Sequence, residues 1–377
     1  MRILIYAFTS KKDCAIFTAF PNIRIFLFSR VCYTDKKENC MDTALVDTAP
    51  YWRGEKHMGR MRLLSTAEGA NVEGFCIVKS VQVKTNIKGS AYLDLVLADC
   101  EGETDAKLWD YSAQQHGVYD ADQVIWLKGS INVWKDAEQL KVDKMRAVTQ
   151  ADAVDMALLV PCAPFDPEWM YSELFETAET FSDDDLRRLV QYLLRTNKEQ
   201  LLRAPAAVKL HHATRGGLLH HTLSIVQAAK ALTPLYPMVD AELVYAGAML
   251  HDIAKLVEMD TGALGLAGGY TPAGQLIGHI SLGVSMVGSA CELLDIPQEL
   301  CMLIQHMILS HHSMPEYGSP KGPMFPEAEM LAHLDMLDSR LYEMFDALSG
   351  VPKGGFSERV WALDNRQMYQ HGHGDIK

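Results

Sequence analysis

None of the eight cysteines pairs with another in CxxC or zinc-ribbon spacing. That excludes a thiolate zinc knot and points to reduced thiols in a cytosolic protein. No stretch approaches the roughly 18 apolar residues that a membrane span requires. Basic charge is scarce: 35 Lys and Arg face 48 Asp and Glu, a formal net charge of -13. A generic, charge-driven nucleic-acid coat is therefore excluded, because such a coat is basic. A local basic groove is not excluded, nor is a site whose positive charge comes from metal ions. There is no internal repeat and no low-complexity tract.

What is present suits a globular protein of two or three domains: 377 residues, 48% hydrophobic and 22% charged. Residues 1–60 are set aside as an atypical, poorly ordered extension. The first apolar run is only about six residues long before Lys11, too short for a signal peptide. A translated upstream region, with the native start at Met41 or Met58, is the expectation.

From Asn71 to about Val148 the pattern has period two. Leu93, Leu95 and Leu97 alternate with Tyr92, Asp94 and Val96, and Glu101-Gly102 turns the chain into a second strand. Ala106 and Leu108 face one way, Lys107 and Trp109 the other. Ile125, Leu127, Ile131 and Val133 point inward, opposite Trp126, Lys128 and Trp134. Five or so strands over 71–150 predict a small all-β barrel of the OB type. Trp109, Trp126 and Trp134, with Lys107 and Lys128, make a face suited to stacking single-stranded bases. The same tryptophans would serve equally to pack a neighbouring domain. Nine Lys and Arg against twelve Asp and Glu over 71–148 leave the segment slightly acidic.

A proline-rich linker follows over 151–180. Helical periodicity then runs over 181–350, opened by Ser182 or Asp183 as a cap, with turns at 216–217, 264–270 and 313–323. Residues 351–377 read as a tail. Ten of the 14 histidines fall between His211 and His333 in this half. "AGAMLHDIAKLVEM" places His251 and Asp252 side by side among Leu243, Val244, Gly247, Leu250, Ala254 and Val257, a segment packed on most sides. A buried carboxylate costs several kcal/mol unless it is paired or binds a metal. Lys255 can share its face.

His221, His279, His311-His312 and the pair Asp335 and Asp338 stand on other helices. Histidine nitrogen and carboxylate oxygen suit Mn²⁺, Fe²⁺, Co²⁺, Ni²⁺ or Zn²⁺. An aspartate can bridge two such ions roughly 3.5–4 Å apart, where together they activate water for attack on phosphorus. No single helix supplies such a site, so several helices of a bundle must converge. His211, His212, His306 and His333 read as structural or supporting residues rather than ligands.

The order His221, His251-Asp252, His279, His311-His312, Asp335 resembles the HD superfamily of metal-dependent phosphohydrolases. A barrel followed by "GGLLHHTLSIV", "AGAMLHDIAKL", "YTPAGQLIGHI", "ILSHHSMPEYGSP" and "AHLDMLDSR" is similar, over roughly 71–348, to the YhaM family of 3′→5′ exoribonucleases. The resemblance implies an OB-type barrel followed by an all-α HD bundle. It also implies two divalent metal ions, Mn²⁺ before Co²⁺, Fe²⁺, Ni²⁺ or Zn²⁺. His221, His251, Asp252 and Asp335 would hold one ion; Asp252 would bridge to a second held by His279 with His311 or His312. Lys255 would contact the scissile phosphate. Asp338 is set beside the supporting residues, because Asp335 matches the ligand position. Three departures stand out: His220 where the family usually has glutamate, Ala254 where glycine is usual, and a ten-residue "DTGALGLAGG" insert placed to reshape the substrate entrance.

The expected partner is single-stranded RNA or DNA, with no membrane, and self-assembly into a homo-oligomer is left open. Two other readings compete. One is a phosphohydrolase or phosphodiesterase acting on free or cyclic nucleotides, which has little use for the barrel. The other is a non-catalytic nucleic-acid-binding regulator, which would lack ligands; none is missing here.

Overall fold

The computed structural model describes residues 61–65, 71–134 and 137–373. The extension over 1–60, with both candidate starts, lies outside them, and so do the side chains of Val133, Trp134, Ala137 and Tyr317.

A one-turn helix, α1 (Arg62–Ser65), leads into β1 (Asn71–Thr85), β2 (Ala91–Ala98) and β3 (Glu103–Leu108). A second short helix, α2 (Ala113–His116), precedes β4 (Gln123–Trp134) and β5 (Ala137–Ala147). The strands close into a barrel in the order β1-β2-β3-β5-β4, with every pair antiparallel except β3 with β5. Alternation sets the interior as expected. Leu93, Leu95, Leu97, Ala106, Leu108, Ile125 and Leu127 are buried, with Met61 and Leu64 of the leading turn beside them.

The segment read as a linker ends earlier than its composition suggested. Asp166 accepts the Trp169 N–H at 2.9 Å and Pro167 fills the first turn, so α3 (Pro167–Glu179) begins there. Proline thus starts a helix here, and Met170, Tyr171, Leu174 and Ala178 join the helical core. Asp183, rather than Ser182, caps α4 (Asp184–Thr196); the Ser182 N–H and hydroxyl donate to Glu242 instead. After α5 (Lys198–Leu201) come α6 (Gly217–Leu232), α7 (Ala241–Leu250) and α8 (Lys255–Glu258).

The predicted turn at 264–270 is part of a hairpin of β6 (Met259–Thr261) and β7 (Ala267–Tyr270). Helices α9 (Pro272–Leu276), α10 (Gly278–Leu294), α11 (Gln298–Ser310) and α12 (Pro326–Leu348) complete the bundle. The stretch read as a tail forms a second hairpin, β8 (Phe356–Val360) with β9 (Arg366–Tyr369). It packs on α12 through buried Leu363 and an Arg340–Asp364 ion pair.

Barrel and bundle share a small apolar core of their own. Ile77 of β1, Leu159 and Val160 of the linker and Leu264 of the hairpin are buried together, flanked by Phe75, Val124 and Leu266. The ten-residue insert thus lays its apolar tip on the barrel.

Candidate metal centre

The site is assembled by helix ends. The His251-Asp252 pair does not lie within a continuous helix: α7 stops at Leu250 and α8 starts at Lys255, with His251 as the cap between. Leu243, Val244, Gly247, Leu250 and Ala254 are buried as the periodicity requires, but Val257 is 40% exposed, since the chain has left the helical register by then. The last carbonyls of a helix lack intrahelical partners. His251 serves one of them, its Nδ1 donating to the Ala248 carbonyl at 2.9 Å. His311 repeats the device at the end of α11, its Nδ1 donating to the Ile308 carbonyl at 2.7 Å. A carbonyl only accepts, so both rings carry their proton on Nδ1 and present Nε2 to the interior.

Two carboxylates do the same for the other imidazoles. His221 Nδ1 lies 2.7 Å from Asp338 Oδ2, and His279 Nδ1 lies 2.9 Å from Glu258 Oε1. The glycine pair that opens α6 brings a second histidine to the first of these carboxylates. Gly216 has φ +73°, and a Cβ on Gly217 would stand 2.0 Å from the His212 carbonyl oxygen. Glycine therefore lets the preceding turn close over α6, bringing His212 Nε2 to 3.0 Å from the same Asp338 oxygen.

Four Nε2 atoms thus converge on Asp252, which is 2% exposed. Its Oδ2 lies 3.3 Å from His251 Nε2 and 3.6 Å from His221 Nε2. Asp335 Oδ1 closes that group, 3.2 Å from His221 Nε2. Asp252 Oδ1 faces the other way, 3.5 Å from His279 Nε2 and 3.7 Å from His311 Nε2. All three of these atoms are buried and without a hydrogen-bond partner. His312 lies on this second side, and its donor atom, with those of His279 and His311, falls within a span of 4.8 Å.

Ligands about 2.0–2.2 Å from a common cation stand roughly 3 Å or slightly more from one another. The separations here fit two cation subsites sharing Asp252. Buried polar atoms left unpaired are costly, and a cation is what this donor set, all nitrogen and oxygen, would take.

The electrostatics agree. Burial by itself would raise the Asp252 carboxyl, but Lys255 and His251 hold it well below the usual carboxylate range. The Lys255 ammonium, 2.7 Å from Asp252 Oδ2, keeps its proton despite burial because of that partner. Burial would lower His221, yet hydrogen bonds to Asp335 and Asp338 lift it to about 9. The ring position that a proton occupies in the metal-free chain is the one a cation would take, so metal uptake displaces it.

Every residue carried over to the metal site is therefore at the centre. Asp338, read as supporting, orients His221 and bonds His212. Such a partner typically governs metal affinity or activity by 10–100-fold. Asp338→Asn is expected to weaken Mn²⁺ binding by about that factor without unfolding the chain, measured by metal titration alongside thermal melting; unchanged affinity would remove Asp338 from the site. Glu258 went unnoticed in the sequence. Nothing in its spacing sets it apart, and only the fold brings it to His279.

The barrel residues divide. Lys107 Nζ lies 5.5 and 5.6 Å from the ring centres of Tyr92 and Trp109, which are themselves 4.7 Å apart. Trp126 is elsewhere, on β4 under Arg146, whose guanidinium is 5.4 Å from its ring. Lys128 pairs with Glu73 at 2.9 Å. The expected single face is thus a β2–β3 cluster, to which Tyr92 belongs, and a separate β4–β5 pair. The side chain of Trp134 is outside the described ones.

A cleft of about 870 Å³ lies between barrel and bundle. It meets none of the residues of the centre, and Asp99, Glu101, Glu103, Asp122, Asp260 and Asp346 outnumber Lys79 and Lys209 around it, a poor lining for a polyanion.

The HD domain family matches residues 218–340, which contain every one of the residues that meet at this centre. The 3′-5′ exoribonuclease YhaM of Geobacillus sp. (strain WCH70) is 36% identical over 302 residues, covering 80% of this chain and 92% of that protein. The chain belongs to the YhaM family.

Among solved structures, a replication protein A heterotrimer bound to ssDNA matches 23% of this chain and 64% of its own, at 13% identity and TM-score 0.19. The second OB-fold domain of replication protein A from Methanococcus maripaludis matches 23% and 93%, at 15% identity and TM-score 0.18. Scores this low add nothing to the barrel's own topology. Two departures from the YhaM pattern have a place in the structure. Ala254 is fully buried, its methyl group facing Gly283 of α10. His220 packs edge-on against His212 and Phe165, with ring centres 4.7 and 5.6 Å away, and burial lowers it to about 4. Among the described residues no helix is long and apolar enough to cross a membrane.

Proposed function

We propose that this chain is a metal-dependent 3′→5′ exoribonuclease that shortens single-stranded RNA, and by the same chemistry DNA, to nucleoside 5′-monophosphates. The observation that carries the reading is the division of Asp252, each oxygen facing its own pair of imidazole Nε2 atoms. The Geobacillus relative, named as a 3′-5′ exoribonuclease, supports the substrate and polarity.

His221, His251, Asp252 and Asp335 would hold one divalent ion. Asp252, His279 and His311, with His312 beside them, would hold the second, Mn²⁺ being the first candidate. Bound there, the pair would neutralise phosphate charge and activate water for in-line attack. The chain's own groups prepare for this. Asp252 is kept ionised, and His251, His279 and His311 are held with the ring proton on Nδ1, away from the centre, while the Nε2 proton of His221 is the one a cation would displace. Lys255 brings a permanent positive charge to the bridging carboxylate, one side chain's reach from a phosphate entering there. His279, with a side chain 14% exposed, marks the open side, whereas His221, His251 and His311 are sealed from solvent. The Tyr92–Lys107–Trp109 cluster on the barrel would hold upstream nucleotides by stacking and charge.

Digestion of a 5′-labelled single-stranded RNA with added Mn²⁺ tests the proposal. A ladder shortening from the 3′ end, with 5′-monophosphates released, is the expected result. Hydrolysis of free or cyclic nucleotides with no attack on the labelled RNA would replace it with the small-nucleotide reading.

A further inference from the structure

Glu258 lies outside the set of ligands, yet it makes two contacts to His279. Its Oε1 accepts the His279 backbone N–H at 2.9 Å and faces the ring Nδ1 at 2.9 Å. The first contact places a carboxylate at the N-terminus of α10, where negative charge is favoured and a backbone donor needs a partner. The second fixes the ring, because an ionised carboxylate accepts only, so Nδ1 must carry the proton. His279 Nε2 is then left as a lone pair aimed at Asp252 Oδ1.

Glu258 is itself held from both sides. It ends α8, and β6 of the inserted hairpin begins at the next residue. Where the hairpin returns, the Thr271 N–H donates to the Glu258 carbonyl at 2.9 Å and the Thr271 hydroxyl donates to the Val257 carbonyl at 2.8 Å. The returning chain passes so close that a Cβ on Gly274 would stand 2.1 Å from the Glu258 carbonyl oxygen. The far end of the hairpin is anchored by Leu264 in the small core shared with the barrel. A glutamate fixed this firmly leaves His279 one ring orientation and one tautomer.

We infer that Glu258 is the positioning residue of the second metal subsite, setting the affinity of that subsite alone through the tautomer and orientation of His279. The inference rests on the two-ion reading above. It differs from a purely structural role in its prediction that the first subsite is untouched.

Mn²⁺ titration of the metal-free full-length chain, with free Mn²⁺ followed by electron paramagnetic resonance, is compared for wild type, Glu258→Ala, Glu258→Gln and His279→Ala. Imidazole nitrogen NMR of the same metal-free proteins, with His279→Ala used to assign the resonance, reads the tautomer. Wild type is expected to bind two ions and to show His279 protonated on Nδ1. In Glu258→Ala the second ion should bind about 10–100-fold more weakly, with the first within twofold and the ring a mixture of tautomers. Glu258→Gln, whose amide oxygen still accepts both hydrogen bonds, should recover most of the affinity and the single tautomer.

Equal weakening of both ions with a lowered melting temperature would make Glu258 merely structural and overturn the inference. An unchanged tautomer and second-ion affinity in Glu258→Ala would overturn it too. One ion in wild type would refute the two-ion reading and with it the role at a second subsite, while the NMR comparison would still show whether Glu258 sets the ring.

Discussion

Asp252→Asn is expected to lower RNA hydrolysis by roughly three orders of magnitude or more, beyond what removal of a single transition-state hydrogen-bond donor costs. The side chain faces both subsites, one oxygen to each. Replacing it with an amide leaves one oxygen, without charge, where two charged oxygens each faced a pair of imidazoles. Both ions should be weakened together, so elemental analysis of the purified variant should find fewer than one ion per chain.

Asparagine is a better choice than alanine for a reason visible only in the structure. Lys255 is 8% exposed, and its ammonium rests on Asp252 Oδ2. Both substitutions break this buried pair, a loss of up to about 3–5 kcal/mol, but alanine leaves the ammonium with no acceptor at all, whereas asparagine keeps an oxygen for it to donate to. An inactive Asp252→Ala protein would then be ambiguous between lost chemistry and lost fold. The asparagine variant, checked by its melting temperature, is not. Retained hydrolysis by a folded Asp252→Asn with Mn²⁺ supplied would rule out the assignment of the metal site.

The residues that meet at this centre could be picked out of the sequence because family motifs attach chemistry to fixed residue types: histidine pairs at helix ends, His-Asp, and an aspartate on the last helix. Their outer partners could not. Asp338 stands three residues after Asp335 and could be noticed, but its role depends on His212 being folded over α6, which no periodicity reports. Glu258 reaches His279 only because a hairpin returns the chain to it, a contact between residues 21 apart.

The barrel was legible at the level of alternation, since Leu93, Leu95, Leu97, Ala106 and Leu108 alternate inward as read. Alternation says which side chains leave the barrel, but not which strands are neighbours. That is why Trp109 and Trp126 read as one face and stand on different strand pairs. The insert read as a change at the substrate entrance because its composition is all that a sequence shows. Leu264 finds the barrel only in three dimensions.

The second large effect concerns that barrel, and the packing decides how to measure it. Deleting residues 1–150 would strip Ile77 from Leu159, Val160 and Leu264 and expose an apolar surface on the remaining bundle. Loss of RNA degradation by such a fragment would confuse binding with folding. Surface substitution avoids this. Tyr92 and Trp109 lie on the outside of β2 and at the end of β3, with Trp109 39% exposed, and neither belongs to a buried cluster. Their rings are tilted by 32° and share the Lys107 ammonium, so together they form one shelf with a cation beside it. Stacking of a base on an aromatic side chain is worth about 1–3 kcal/mol. Removing both rings in Tyr92→Ala/Trp109→Ala should therefore raise the Kd for single-stranded RNA by roughly a hundredfold. Trp126→Ala, from the separate β4–β5 pair, should have a smaller effect. Hydrolysis of bis-p-nitrophenyl phosphate, which is too small to reach the barrel, should stay at the wild-type rate in both variants. That unchanged rate certifies the metal centre while the RNA assay reads the shelf. A double variant that binds and degrades long RNA within twofold of wild type would show that the β2–β3 face does not hold the substrate.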